Sequence, residues 1–324
     1  KDFKLNTVDR VAVCSRSFSQ DPILRAEVLQ RYQHVSFNES GKTLIGEDLY
    51  RFLSNHSKAI VGLERIDEQL IRRLPDLKVI GKYGVGMDAI DFKALQSADV
   101  RFGWTGGVNR RSVAELVIAF SIAMLRSAFS SGVALRESRW EPTKGRELGA
   151  SRLGLIGCGF VGQEVARLAR AFGTEIWAYD IRDMSFEYQS IGIRSASMQE
   201  ILCESDIISL HVPLTAKTRG MIGPTELAQM KRTSILINTS RGGIVDEDAL
   251  ESVLLKGEIA GAAFDVFCDE PPSQRPLLMA PNFWGTPHIG GSSREAILAM
   301  GRAAIEGLDH HQAADSFLSL SGVP

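Results

Sequence analysis

Along the first hundred residues, short β-branched runs alternate with amphipathic stretches. Val11 to Cys14, Ala59 to Leu63 and Leu77 to Gly81 have the composition of strands, and "DPILRAEVLQRY" and "IDEQLIRRLP" have helical spacing between them. That alternation predicts a small parallel α/β unit. "NRRSVAELVIAFSIAMLR", residues 109 to 126, then reads as one long helix, apolar around more than a single stripe. A helix of that kind wants two partners, so packing between domains or across a dimer is expected of it. From residue 151 the alternation becomes a series, with strands expected at Arg152 to Ile156, Glu175 to Tyr179, Asp206 to Val212, Ser234 to Thr239, Gly261 to Val266 and Phe283 to Pro287. Six parallel strands joined by crossover helices make a doubly wound sheet. The tail from Ser292 to about His311 has a Ser cap and an Ala-rich helical composition.

Composition narrows the functional classes. The 324 residues, 44% hydrophobic, suffice for two α/β domains with filled cores. The net charge of -2 comes without any basic run that would hold a nucleic-acid backbone or an anionic membrane, so neither partner is expected. No long uncharged apolar segment predicts a membrane span, and the opening "KDFKLNTVDR" is not of signal-peptide type. Cys14, Cys158, Cys203 and Cys268 are scattered, and the six histidines show no HExxH spacing. No metal site is therefore predicted, and a reducing, cytoplasmic setting is expected.

One stretch carries the chemistry of a ligand. In "LGLIGCGFVGQEVARLARAFGTEIWAYD", Gly157, Gly159 and Gly162 form G-x-G-x-x-G after a predicted strand and at the start of a helix expected to reach Phe172, with Gly173 as its left-handed terminator. Gly157 suits the tight turn, Gly159 lets a pyrophosphate approach the backbone, and Gly162 lets helix and strand pack closely. Asp180, 23 residues after Gly157, is placed to accept from the adenosine ribose hydroxyls and to repel a 2'-phosphate, which favours NAD (NADH) over NADP. Arg182 argues in the other direction. Cys158, inside the turn, reads as filler rather than as a nucleophile. Three further stretches, "LINTSRGGIVDEDAL", "GAAFDVFCDEPP" and "GTPHIGGSS", place polar residues at predicted strand ends, where an open α/β sheet keeps its crevice.

These segments, with "KYGVGMDAID", "NRRSVAEL" and "LHVPLTAKTRGMIG", resemble the D-isomer-specific 2-hydroxyacid dehydrogenase family, in particular its phosphoglycerate dehydrogenase-like branch. The resemblance implies two Rossmann-like doubly wound parallel-sheet domains, the NAD-binding one (108 to 290) inserted in a substrate-binding one (1 to 107 and 291 to 324), and a homodimer through the cofactor domain. It places the catalytic residues at Arg241, Glu270 and His288. Reduction of a 2-keto acid needs hydride at C2 and a proton at the ketone oxygen, and histidine, which titrates near neutrality, serves as acid in that direction and base in the other. A carboxylate on the other ring nitrogen fixes the tautomer and steadies positive charge, and a guanidinium can fork onto the substrate carboxylate or polarise the carbonyl. Singly, each has an ordinary reading: a surface arginine, an acidic turn, a buried histidine. Glu270 stands where a formate dehydrogenase of the superfamily would carry Gln.

The resemblance also assigns the cofactor contacts. They are Gly157, Gly159, Phe160, Val161, Gly162, Asp180 and Ile181; His211, Val212, Pro213 and Thr218 near the adenine; Thr239, Ser240 and Arg241 beside the ribose and nicotinamide; Asp265 near the carboxamide; and Ser112, His288 and Gly290. Tyr83, Gly84, Val85 and Gly86 form the substrate loop, a plausible backbone nest for a carboxylate. The implied partner is a small 2-keto or 2-hydroxy acid, with 3-phosphoglycerate the leading expectation and hydroxypyruvate and glyoxylate types as alternatives, and Lys144 or Arg146 is a candidate for a substrate phosphate. The stretch after His288 is short, so the C-terminal amino-acid-sensing domain of some phosphoglycerate dehydrogenases is not expected. Two alternatives remain: an NAD(H)-sensing binding protein resembling the C-terminal binding protein corepressors, and a family member of the phosphite dehydrogenase sort that acts on a substrate other than a hydroxy acid.

Overall fold

The computed structural model describes residues 4–182, 188 and 190–318, and within it the chain forms two compact units, residues 1–109 with 292–324 and residues 110–291. The first unit holds a five-stranded parallel sheet of β1 (Asn6–Val13), β2 (Tyr32–Phe37), β3 (Lys58–Val61), β4 (Val79–Lys82) and β5 (Arg101–Gly103), in the order β2-β1-β3-β4-β5. Two of these strands escape the sequence pattern. β2 is mostly half-buried or exposed and lacks a clean apolar alternation, and β5 is three residues long, too short for any periodicity to register.

The second unit holds seven parallel strands: β6 (Arg152–Ile156), β7 (Glu175–Tyr179), β8 (Arg194–Ser195), β9 (Ile207–Leu210), β10 (Ile235–Asn238), β11 (Gly261–Phe264) and β12 (Phe283–Gly285), in the order β12-β11-β10-β9-β6-β7-β8. Six of them lie where the pattern of apolar runs puts them, some trimmed at their ends. The seventh, β8, has two exposed residues and no apolar signal. All four residues of β9, β10 and β11 are buried. Central parallel strands are covered on both faces, which is why they appear in the sequence as continuous apolar runs. Strand order reverses between β6 and β9, and the carboxyl ends of the strands at such a switch point are where open parallel sheets bind their ligands.

The long helix is Arg110–Leu125, within one residue of the expected 109 to 126 at each end, and it is followed by a second helix, Ala128–Arg136, that the sequence reading did not identify. Its broad apolar surface, including Ala114, Val117, Ile118 and Phe120, joins the core around Leu153, Val165 and Ile237 of the same unit. The breadth of that apolar face is thus explained within one unit. Among the described residues no single helix is long and apolar enough to cross a membrane.

The tail helix, Arg294–Gly307, is capped by Ser293, whose side chain accepts from the Ala296 amide. It lies across the first unit's sheet at glycines. A Cβ on Gly103 would fall 2.1 Å from the Gly307 carbonyl oxygen, and one on Gly81 2.3 Å from that of Ala304. Backbone meets backbone there, so nothing flexible can yield. Gly103→Ala is expected to destabilise the first unit by about 1–3 kcal/mol, as overpacking does. Urea unfolding would measure this, and an unchanged midpoint would contradict the packing.

Candidate active site

The sequence-predicted residues of the second unit follow the carboxyl ends of its parallel strands, apart from Ser112, which lies on the helix Arg110–Leu125. After β6, Gly157 turns with a φ of 85°, a left-handed conformation natural to glycine. A Cβ on it would lie 2.6 Å from the His211 carbonyl oxygen and 2.7 Å from Val212 Cγ1, and a Cβ on Gly162 would lie 2.6 Å from the Gly157 carbonyl oxygen. Gly159 differs, because nothing lies within 4 Å of its Cβ position. The turn is therefore tight on its protein side and open where the helix Phe160–Arg170 presents its unpaired N-terminal amides, the geometry that receives a pyrophosphate. Gly173, past that helix, has a φ of 85°. Cys158 is fully buried, and burial pushes its thiol up to about 11, in keeping with filler.

Asp180 follows β7. Its Oδ2 accepts from the Cys158 amide at 2.9 Å and its Oδ1 from the Arg182 amide at 3.0 Å, and the Arg182 guanidinium forks onto both oxygens at 3.1 and 3.3 Å. Burial would raise this carboxyl, but the hydrogen bonds from Arg182 and the two amides outweigh it and hold its pKa below the ordinary carboxylate range. Ile181, beside it, is 92% exposed.

After β9, His211 and Val212 are half-buried and Pro213 exposed. Thr218 closes this loop by donating from Oγ1 to the Pro213 carbonyl at 2.5 Å. His211 pairs with Ser209 Oγ at 2.9 Å, and burial lowers its pKa to about 3.

After β10, Asn238 organises the turn: its Oδ1 accepts from the Ser240 amide and hydroxyl, and its Nδ2 donates to the Arg241 carbonyl at 2.9 Å. An Asn at a strand end before Thr-Ser is the sequence signal that would have found it. Arg241 is half-buried and donates from Nη1 to the Ser240 carbonyl at 2.7 Å. Thr239 Oγ1 is buried with no hydrogen-bond partner among the described residues.

The ends of β11 and β12 form one assembly. Asp265 is 1% exposed and accepts from Thr286 Oγ1 at 2.5 Å, the Ile289 amide at 2.8 Å and the Gly290 amide at 2.7 Å. Gly290 in turn accepts through its carbonyl from Ser112 Oγ at 2.6 Å. Sequence reasoning gives Asp265 and Ser112 to the cofactor; in the structure their hydrogen bonds hold the turn that carries His288. That residue has a φ of 53°, an uncommon conformation for a non-glycine residue that surrounding contacts must maintain. His288 Nδ1 lies 2.7 Å from Glu270 Oε2, while Glu270 Oε1 accepts from the Phe267 amide at 3.0 Å. A carboxylate only accepts, so the proton is on Nδ1 and Nε2 is left for chemistry.

In the first unit, Gly84, Val85 and Gly86 follow β4, half-buried, with a φ of 105° at Gly84. Trp104 Nε1 donates to the Val85 carbonyl at 3.1 Å. Tyr83 is a core residue, its ring edge-on to Phe18 at 5.7 Å, so only its backbone belongs to the loop surface. Arg146 does not suit a substrate phosphate: its guanidinium is bound to Asp206 at 3.0 Å and to the Thr233 carbonyl at 2.8 Å. Both lie at the amino ends of β9 and β10, the wrong edge of the sheet.

A dinucleotide fits these features. The glycine turn has no protein atom over Gly159, the Asp180 carboxylate borders it, and the buried Thr239 hydroxyl lacks a partner that a nicotinamide or ribose group could supply. Comparison with known proteins agrees. Residues 118–290 match the family model described as D-isomer specific 2-hydroxyacid dehydrogenase, NAD binding domain. The D-3-phosphoglycerate dehydrogenase of Methanocaldococcus jannaschii is 36% identical over 290 residues, which cover 88% of this chain and 55% of that protein. The hydroxypyruvate reductase of Thermotoga maritima is 39% identical over 251 residues, 75% of this chain and 80% of that one. A crystal structure of a glyoxylate reductase from Paecilomyes thermophila matches with a TM-score of 0.81 at 28% identity, covering 93% of this chain and 95% of that one. The chain thus spans little more than half the length of the phosphoglycerate dehydrogenase relative.

Desolvation of the His211 ring, on a residue half-buried as a whole, has a consequence for acid stability. Its folded pKa is depressed to about 3, so its contribution is complete above the unfolded value of about 6.5 and is lost as pH falls towards the folded one. In His211→Asn, urea unfolding between about pH 6.5 and 4 should show a shallower loss of stability than in the parent. Identical pH slopes in the two proteins would argue against a buried neutral imidazole.

Proposed function

We infer the activity from family membership joined to one pair of side chains: this chain belongs to the D-isomer specific 2-hydroxyacid dehydrogenase family, and Glu270 holds His288 by its Nδ1 at 2.7 Å. The function is that of an NAD-dependent oxidoreductase interconverting a 2-keto acid and a D-2-hydroxy acid. The Glu270–His288 pair carries the reading, because it delivers a protonatable Nε2 from a turn that the buried Asp265 and Ser112 hold in place.

Bound NADH supplies the hydride. His288 Nε2 gives its proton to the ketone oxygen in reduction and takes it back from the hydroxyl in oxidation, while Glu270 steadies the charge on the ring. Arg241 offers a planar cation to the substrate carboxylate or carbonyl. The glycine turn from Gly157 to Gly162, with Phe160 and Val161 at the helix start, takes the pyrophosphate. Asp180 and Ile181 border the adenosine ribose, His211, Val212, Pro213 and Thr218 the adenine, and Thr239, Ser240 and Gly290 the nicotinamide side. Asp180 favours NAD over NADP. The amides of Gly84, Val85 and Gly86 take the substrate carboxylate.

Among substrates, small acids of the glyoxylate and hydroxypyruvate type suit the residues better than a phosphorylated one, since Arg146 is bound at the opposite sheet edge. Relatives carry the names D-3-phosphoglycerate dehydrogenase, hydroxypyruvate reductase and glyoxylate reductase.

The test is NADH oxidation at 340 nm against glyoxylate, hydroxypyruvate, 3-phosphohydroxypyruvate and 2-oxoglutarate. Turnover should appear with at least one and fall by about 10²-fold or more in His288→Ala, with NADH affinity nearly unchanged. Tight NADH binding without turnover of any of the four would favour a cofactor-sensing protein instead.

A homodimer through the second unit completes the proposal. Leu135 is 58% exposed, Trp140 83% and Phe129 44%, an apolar group on and just past the helix Ala128–Arg136 that favours a second copy as its cover. Sedimentation equilibrium should find a dimer for the parent and a monomer for Leu135→Glu; a monomeric parent would end this part of the reading.

A further inference from the structure

The loop that presents Glu270 is fastened by a second carboxylate. Glu247 opens the helix Glu247–Leu255, where an acidic side chain ordinarily faces water and complements the helix dipole. The side chain of Asp248, beside it, does face water and is 93% exposed. Glu247 instead is 7% exposed and turned inwards, to the segment after β11. Its Oε1 accepts from the Cys268 amide at 2.7 Å, and its Oε2 accepts from Arg275 Nη1 at 3.0 Å. Arg275 is held in turn by Asp248 at 2.6 Å and by Glu251 at 3.4 Å. A buried carboxylate needs donors in place of water, and Glu247 finds one on each oxygen.

Consecutive amides of that segment are therefore held by different carboxylates. The Phe267 amide donates to Glu270 Oε1 at 3.0 Å and the Cys268 amide to Glu247, so the backbone there is tied both to the residue that meets His288 and to the start of a neighbouring helix. The segment after Arg241 packs on the same backbone. A Cβ on Gly242 would fall 1.9 Å from the Phe267 carbonyl oxygen and 2.6 Å from the Cys268 nitrogen. Contacts as close as these pass a displacement on to their neighbours. Releasing the Cys268 amide thus disturbs the support on which the segments of Glu270 and Arg241 both rest. A neutral amide side chain could not replace Glu247. Both of its partners donate, and a glutamine has one accepting oxygen, which the Arg275 cation takes, leaving its NH2 group against the Cys268 amide.

We propose that Glu247 is a positioning residue for the Glu270–His288 pair: by holding the Cys268 amide, with Arg275 as its counter-cation, it keeps Glu270 within hydrogen-bond reach of His288 Nδ1. Its effect on rate rests on the proposed reduction of 2-keto acids, whereas its effect on the pair shows without turnover.

The experiment reads both effects in the full chain. With isotope-labelled histidine, the ring resonance of His288 is the one that disappears in His288→Asn. In Glu247→Gln it should move towards its position in Glu270→Gln. In Glu251→Gln, which alters the grip on Arg275 and on the Leu277 amide but not on Cys268, it should stay where the parent has it. With NADH and glyoxylate, Glu247→Gln should lower kcat about three- to tenfold, with KM within about twofold of the parent and NADH affinity unchanged, as loss of an interaction needed only in the transition state requires. A His288 resonance unmoved in Glu247→Gln, or moved as far in Glu251→Gln, would overturn the proposal, because a carboxylate that only stabilises the fold gives those results. So would a kcat equal to that of an active parent. Should Glu247→Gln fail to fold, Glu247→Asp, which keeps the charge but draws the oxygens back from the Cys268 amide, takes its place: displacement of the resonance supports the proposal and an unmoved one overturns it. If the parent does not reduce glyoxylate, the proposed activity fails for that acid, and the resonance alone decides the part played by Glu247.

Discussion

A buried carboxylate must be surrounded by donors, and at Asp265 that requirement organises the candidate chemistry of the second unit. The residue ends a strand whose four preceding positions are all buried, so its charge has no water to turn to. Three groups answer it, the Thr286 hydroxyl and the amides of Ile289 and Gly290, all from the segment after β12. Satisfying Asp265 therefore draws that segment into a tight turn, and the turn obliges His288 to adopt a φ of 53°. The imidazole is then aimed at Glu270, which is itself fixed by the Phe267 amide. A pair of side chains that looks like the chemistry is the last link of a chain that starts with a desolvated carboxylate.

The same logic is used differently at each strand end. After β7 the Asp180 carboxylate is met by two amides and a guanidinium, after β10 Asn238 plays the organising part with a neutral amide, and after β9 the imidazole of His211 is buried neutral. In the first unit the organiser is a cation, Lys82, gripping two carbonyls. Fully covered parallel strands leave polar groups nowhere to go except their ends, so each end needs its own solution to desolvation. These local solutions give the loops their shapes, and the shapes determine what could bind there.

Close approach is the second constraint. Gly157 lets the turn after β6 press on the end of β9, Gly162 lets the helix Phe160–Arg170 press on that turn, and Gly81 and Gly103 let the tail helix press on its sheet, in each case with backbone against backbone. Two of these were legible in the sequence because they sit in a spaced motif. Gly81 and Gly103 were not, since a lone glycine in a short strand says nothing of what packs on it from some two hundred residues away.

Much of the architecture could be read from the chain alone. Apolar runs of the right length marked the six longer strands of the second unit, and the glycine spacing with an acid after the next strand marked a dinucleotide turn, because both depend on local geometry. The strands β2, β5 and β8 were illegible for want of length or apolar contrast, and the helix Ala128–Arg136, with two serines and a glycine in its first five residues, gave no clear helical signal. Arg241, Glu270 and His288 could be picked out by resemblance. That Glu270 meets His288, that Asp265 and Ser112 serve the turn, that Arg182 bonds Asp180 and that Arg146 belongs to the other edge could not. Residue type and spacing determine which groups are available and which element carries them. Which charge answers which is decided when burial removes water, and then only a partner brought close by the tertiary fold can take its place.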